Sequence, residues 1–266
     1  MLELYHALIS TCSQKVRLVL AEKQLDWVSR PITLGAGEHL SPEYLKINPN
    51  GVVPTLVDGG DAVTDSSVIN EYLDDVYPAI PVRPKNPKTL ARMRAWRQYI
   101  DEVPTPAIRV PSFNAFFVPQ WSGMTDGQFF EFTETLPLRK HFFRKMGRTG
   151  FGEADMAEAL DKLGQALGRM DAALASGPWL VDGHYSIADA SMTPTIVRME
   201  DLGLSHMWAD LPRVKQWYAR IQARPNFNAA YMPGSRNLGP SHQDEASGAT
   251  RNVTAKINDQ LGRINP

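Results

Sequence analysis

A single cysteine, Cys12, stands in a chain of 266 residues, so no intramolecular disulfide framework is available. No grouping of cysteine and histidine has the spacing of a zinc site, and no metal is expected. An excess of charge of either sign is also missing: 28 Lys and Arg face 29 Asp and Glu, a formal net charge of −1. That balance supplies no electrostatic reason to bind nucleic acid or an anionic membrane. No apolar run approaches the roughly 18 residues of a membrane span. Met1 is followed almost at once by strand-like sequence, without a basic and then an apolar leader, so a soluble, cytoplasmic protein is expected. Internal repeats are lacking too.

What the chain does have is apolar content, 43 % of residues, enough to bury a sizeable core in one large or two smaller domains. Residues 2–7 read as a strand, 13–23 as a helix, 27–34 as a second strand and 42–47 as a short helix. Residues 52–57 and 62–64 are β-prone and are separated by Asp58-Gly59-Gly60-Asp61, a hairpin signal. Asp65-Ser66 opens an amphipathic helix carrying Val68, Ile69, Tyr72 and Leu73 on one side and ending before Pro78. The order β-α-β-α-β-β-α describes a small α/β domain, residues 1–80. Pro78, Pro81, Pro84 and Pro87 mark a linker, residues 81–87. Helical periodicity follows. Leu90, Met93, Trp96 and Ile100 begin a helix that Pro104 and Pro106 bend or stop. Residues 110–128 are aromatic and irregular, and further helices are expected over 131–145, 154–174, 187–201 and 211–223. Residues 88–232 thus form an all-α domain. Residues 233–266 hold no aromatic side chain and many Gly, Ser and Asn, and read as a polar tail.

The first strand hands over to its helix at Ser10-Thr11-Cys12-Ser13-Gln14-Lys15-Val16-Arg17. Small hydroxyl and thiol groups therefore stand where free backbone N–H groups and the positive end of a helix dipole favour an anion. A thiolate is such an anion and is the nucleophilic form of sulfur. Ser10 or Ser13 also serves as an ordinary N-cap at this place, and Cys12 as a small buried hydrophobe. Tyr5, early in a strand, reads as core.

Four further stretches belong together. They are Gly51-Val52-Val53-Pro54-Thr55-Leu56-Val57; Thr64-Asp65-Ser66-Ser67 opening a helix; His39 in Gly35-Ala36-Gly37-Glu38-His39-Leu40-Ser41-Pro42; and Gly183-His184-Tyr185-Ser186-Ile187-Ala188-Asp189. With the α/β-then-helical order, they resemble the glutathione transferase superfamily over about residues 2–232. The resemblance implies a thioredoxin-like N-terminal domain, an all-α C-terminal domain, glutathione as cosubstrate and a homodimer. It implies that Pro54 is cis and that Val53 presents its backbone to the tripeptide, as a sheet edge pairs with a peptide. It assigns Asp65 to the γ-glutamyl ammonium, Ser66 and the adjoining helix N-terminus to the α-carboxylate, and His39 to the glycine carboxylate. Many relatives carry Glu where Asp65 stands. Ser186 and Asp189 match a capping box, a folding signal rather than a catalytic one.

The same resemblance implies that a donor at the start of the first helix lowers the pKa of glutathione's thiol. Ser10 matches the serine of theta- and zeta-like members. Cys12 matches the cysteine of hydroquinone reductive dehalogenases, whose Ser-x-Cys-Ser-x-Lys pattern this chain shares, and Ser13 matches bacterial β-etherases. No second cysteine follows at Cys-x-x-Cys spacing, which excludes a two-thiol cycle within one chain. Tyr99, Pro104, Ile108, Phe113, Phe116, Phe117 and Trp121 supply apolar walls for a small hydrophobic, aromatic electrophile. The Leu136-Pro137-Leu138-Arg139-Lys140 element and the tail look similar to the β-aryl-etherase branch. β-Aryl ether cleavage is the favoured expectation. Reductive dehalogenation or thiol–disulfide chemistry through Cys12 and a non-catalytic binding module are the alternatives.

Overall fold

The computed structural model describes residues 1–181 and 183–236. Strand β1 (Leu2–His6) leads into helix α1 (Thr11–Glu22), strand β2 (Trp27–Pro31) and the short helix α2 (Pro42–Ile47). Strands β3 (Thr55–Asp58) and β4 (Asp61–Thr64) form the hairpin, and α3 (Ser66–Val76) closes the α/β part. The sheet runs β2-β1-β3-β4, with β1 and β2 parallel and the remaining pairs antiparallel. A thioredoxin-like N-terminal half is therefore present. The hairpin turn is Gly59-Gly60, both at positive φ (59° and 104°), where side chains are disfavoured.

Strand β3 starts three residues later than the apolar run predicts. Pro54 has no N–H for the ladder, the Val53–Pro54 bond is cis, and the Val52 carbonyl is taken by side chains of α2 and its C-cap. Val68, expected on the apolar face of α3, is 50 % exposed; Ile69 and Leu73 point inward instead, joining Leu4, Val16, Leu20 and Leu56. Each such fully buried side chain contributes about 1.5–3 kcal/mol.

The helical half comprises α4 (Pro87–Glu102), α5 (Pro104–Ser112), α6 (Asp126–Glu134), α7 (Lys140–Met146), α8 (Glu153–Ala173), α9 (Ile187–Asp201), α10 (Pro212–Gln222) and α11 (Phe227–Ala230). Asn86 caps α4, so the helix begins at Pro87. The single helix expected over 131–145 is two, α6 and α7. Pro137 cannot donate to the helical ladder and disfavours helical backbone at Leu136. Between α5 and α6 the chain is not open loop but a π-type turn (Phe113–Phe117) followed by a 3₁₀ turn (Val118–Trp121).

The box at α9 forms as expected. Asp189 accepts from Ser186 N at 3.0 Å, and Ser186 Oγ accepts from Ala188 N at 3.3 Å. The second oxygen of Asp189 binds Leu180 N (3.0 Å) and Trp217 Nε1 (2.8 Å), tying three segments together in the core. One apolar cluster runs through both halves, and a second, aromatic one gathers around Trp121, Phe129, Phe143 and Phe151. Of the predicted tail, residues 233–236 are described and 237–266 lie outside the described residues.

Candidate functional site

The turn between β1 and α1 is held from three sides. Ser13 is fully buried, and its Oγ accepts from Ala7 N at 3.3 Å. Arg17 donates to the Leu8 and Ala230 carbonyls and to Ser235 Oγ at 2.9, 2.8 and 3.0 Å. From α9, Arg198 donates to the Ile9 carbonyl at 2.5 Å. Arg17 Nη1 also reaches His6 Nδ1 at 3.1 Å; as arginine can only donate, Nδ1 accepts and Nε2–H donates to Ser29 Oγ. Burial, with Arg17 beside it, lowers the His6 pKa to about 4, so this ring is neutral.

Thus anchored, the turn brings Ser10, Thr11 and Cys12 to a cavity between the halves. Ser10 is the N-cap, its oxygen accepting from Ser13 N at 3.3 Å, which leaves its proton to donate. Cys12, half-buried in the first turn, receives Arg109 Nη2 at 3.9 Å from Sγ. Burial alone raises the thiol pKa, but Arg109, Lys15 and Arg139 together outweigh it, and the net direction is downward. Lys15 is itself tied to Ser67 Oγ and to Asp101 Oδ1 (2.7 Å), a contact joining α1, α3 and α4.

The cavity spans ≈ 1050 Å³, its open mouth included. Its floor is Ile9 to Cys12 and Val52–Val53; Phe113, Phe117 and Trp121 form an aromatic wall, with Ile108 beside them. The π-type turn brings Phe113 and Phe117 to 4.8 Å between ring centroids. The α6–α7 connector roofs the space: a Cβ on Gly51 (φ +59°) would stand 3.1 Å from Pro137 Cδ, so this close approach requires glycine. On the N-terminal side, Tyr44 OH donates to the Val52 carbonyl (2.6 Å), and Asn48 Nδ2 donates to the same oxygen (2.9 Å) and to Thr55 Oγ1 (2.8 Å). These bonds brace the turn carrying Val53, whose own backbone N–H and C=O find no partner among the described residues.

Ser10, Cys12, His39, Val53, Ile108, Phe113 and Trp121 are thus brought to one cavity. Burial lowers the His39 pKa, and its Nδ1 has no partner among the described residues. Seven expected residues do not line the cavity: Ser13, Pro54, Asp65, Ser66, Tyr99, Phe116 and Pro104, the last buried in the first turn of α5. Ser13 is turned toward the end of β1. Tyr99 packs edge-on against Trp96 under Arg169. Phe116 leaves the π-type turn on the core side, with Arg198 over its ring. Asp65, at φ 70°, caps α3 through Oδ1 to Ser67 N (2.8 Å) and Val68 N (3.1 Å), with buried Ser66 beside it. Sequence reasoning missed Arg109, Arg139, Arg198, Tyr44 and Asn48. A lone arginine inside an apolar run, as in Ala107-Ile108-Arg109-Val110 and Ile196-Val197-Arg198-Met199, is the signal that marks two of them.

The family model for the glutathione S-transferase N-terminal domain matches residues 9–76, and that for its C-terminal domain matches residues 153–220. The chain belongs to the glutathione transferase superfamily. Like other members, this transferase uses glutathione as cosubstrate. It is 28% identical over 239 residues to tetrachloro-p-hydroquinone reductive dehalogenase of Sphingobium chlorophenolicum, covering 85% of this chain and 94% of that protein. It is 29% identical over 243 residues to LigF of Sphingobium sp. strain SYK-6, covering 88% and 94%. The crystal structure of that β-etherase superposes with a TM-score of 0.78 over 86% of this chain and 98% of LigF. A zeta-class glutathione S-transferase of Euphorbia esula is 48% identical over 83 residues, 31% of this chain and 37% of that protein. Among the described residues of this transferase, no helix is long and apolar enough to cross a membrane.

Proposed function

We propose that this transferase cleaves β-aryl ethers, with glutathione as the nucleophile. The observation that carries the reading is the opening of the α1 N-terminus, with Ser10 and Cys12, onto an aromatic-walled cavity beside the Val53 backbone, which has no partner among the described residues. The tripeptide pairs with Val53 after the cis Pro54. Its γ-glutamyl end lies at Asp65 and Ser66 on the α3 N-terminus, and neutral His39 meets its glycine carboxylate. Residues 1–80 bind glutathione, residues 88–232 supply the electrophile site, and 81–87 link them. The Ser10 hydroxyl donates to the thiolate and, with the helix N-terminus, favours ionisation. The thiolate attacks the carbon bearing the aryloxy group; the C–S bond forms, the C–O bond breaks, and the aryloxide leaves with the bonding pair. No net oxidation occurs. Likeness to LigF in sequence and shape supports this choice of ether. The enzyme works as a cytoplasmic homodimer.

The depressed Cys12 thiol supports a second reading, reductive dehalogenation, the reaction named for the relative from Sphingobium chlorophenolicum. There the glutathione thiolate first displaces halide from the ring, forming a C–S bond as the C–halogen bond breaks, and the Cys12 thiolate then attacks the sulfur of the resulting glutathionyl-arene. The C–S pair passes to carbon, which takes a proton, and a Cys12–glutathione disulfide forms. A second glutathione then releases it as glutathione disulfide. Assay of Ser10→Ala and Cys12→Ala with an α-aryloxyacetophenone and with a halohydroquinone separates the two. Ether cleavage that falls in Ser10→Ala but survives in Cys12→Ala supports the first reading. Dehalogenation lost only in Cys12→Ala supports the second. Retention on immobilised glutathione without turnover of either substrate would reject both.

A further inference from the structure

Among the described residues three arginines line the cavity, Arg109, Arg139 and Arg198, and no aspartate or glutamate does. Several arginines elsewhere are paired with acids, Arg83 with Asp74, Arg224 with Glu22 and Arg236 with Asp201, and Arg198 itself stands 3.9 Å from Asp201. Arg198 is buried and committed to the Ile9 carbonyl. Arg109 gives one nitrogen to Cys12. The Arg139 guanidinium has no hydrogen bond and no ion pair with any described residue; only its backbone carbonyl is paired, accepting from Phe143 N at 3.1 Å. Its position is not a matter of chance, because the connector that carries it rests on Gly51 through Pro137. Burial and the neighbouring Arg109 lower the Arg139 pKa only to about 10, so the Arg139 guanidinium is charged at neutral pH. Two like charges beside an aromatic wall are costly unless an anion joins them. A Cys12 thiolate supplies at most one such charge. In the proposed pose, the carboxylates of glutathione lie at the α3 N-terminus and at His39.

We propose that the electrophile is an aromatic carboxylic acid, its carboxylate held by Arg139 together with Arg109 while Phe113, Phe117 and Trp121 enclose its ring. A planar guanidinium matches a carboxylate through two parallel N–H···O bonds, and this sets the acid apart from a neutral arene of the same shape. The inference rests on the glutathione-transferase reading of the cavity. It is tested by binding, without turnover.

The experiment is calorimetry on the full chain saturated with unreactive S-methylglutathione, titrated with 4-phenoxybenzoate and, separately, 4-phenoxybenzamide. The benzoate binds at least about tenfold more tightly, the scale of one charge-assisted contact in a sheltered site. Arg139→Gln brings the ratio of the two affinities close to one, and Arg139→Lys, which keeps the charge but not the fork, retains part of it. Equal binding of the two ligands by the unaltered chain overturns the proposal, and so does a preference that survives Arg139→Gln. Should Arg139→Gln fail to fold, the unaltered chain and Arg139→Lys still decide it. A preference for the benzoate alongside absent ether cleavage would reject the ether reading and leave the acid preference standing.

Discussion

Asn48 is fully buried and does not touch the cavity, yet its side chain makes three hydrogen bonds: to the Val52 carbonyl, to Thr55 Oγ1 and from Asn50 N (3.1 Å). Replacing it with alanine removes all three. The Val52 carbonyl keeps the Tyr44 hydroxyl as a donor, and Thr55 Oγ1 keeps Tyr44 as a partner at 2.9 Å. No carbonyl is therefore orphaned, and at about 1 kcal/mol per net bond the loss of stability is about 2–3 kcal/mol. The functional effect is separate from this. With one of its two braces gone, the turn presents Val53 less consistently, and glutathione binds about tenfold more weakly, equivalent to about 1.4 kcal/mol. Urea unfolding measures the first quantity and calorimetric titration with glutathione the second. A stability loss of the expected size with unchanged glutathione affinity would refute the positioning role. Unchanged stability would refute the energetic reasoning itself.

Two further outcomes follow from buried groups. Asp189→Ala strips the acceptor from Leu180 N, Ser186 N and Trp217 Nε1; at about 1–3 kcal/mol per stranded donor, less about 3 kcal/mol of relief from a buried carboxylate whose pKa burial raises to about 6, the net loss is about 3 kcal/mol in urea unfolding. His6 makes stability pH-dependent: below about 6.5 the unfolded chain takes up a proton that the folded ring refuses until about 4. Its contribution is complete above pH 6.5 and is lost as pH falls towards 4, by up to about 3 kcal/mol. The stability difference between the unaltered chain and His6→Gln should narrow between pH 7 and pH 5; a constant difference would refute the assignment.

Much of the architecture is legible in local chemistry. Period-2 and period-3.6 apolar patterns, Asp58-Gly59-Gly60-Asp61 and the Ser186/Asp189 box act over a few residues, so the strand–helix order and the α9 N-terminus can be read directly from the chain. Ser10 and Cys12 are legible for the same reason, since any strand-to-helix turn places its first residues at the helix N-terminus. Misreadings arise where one residue's backbone chemistry overrides an apolar pattern, as Pro137 does between α6 and α7.

Facing direction is not local. Phe116 and Phe117 are neighbours of identical chemistry, yet the π-type turn sends one to the core and the other to the cavity. Nothing in the spacing of Cys12, Arg109 and Arg139 relates them. They meet because α9 packs against both α1 and α5 within the apolar cluster shared by both halves, and because Gly51 admits Pro137. The turn that holds a sulfur was thus written in consecutive residues. The charge and shape of the space above it were decided only by packing, because they depend on side chains that burial brings together from distant parts of the chain.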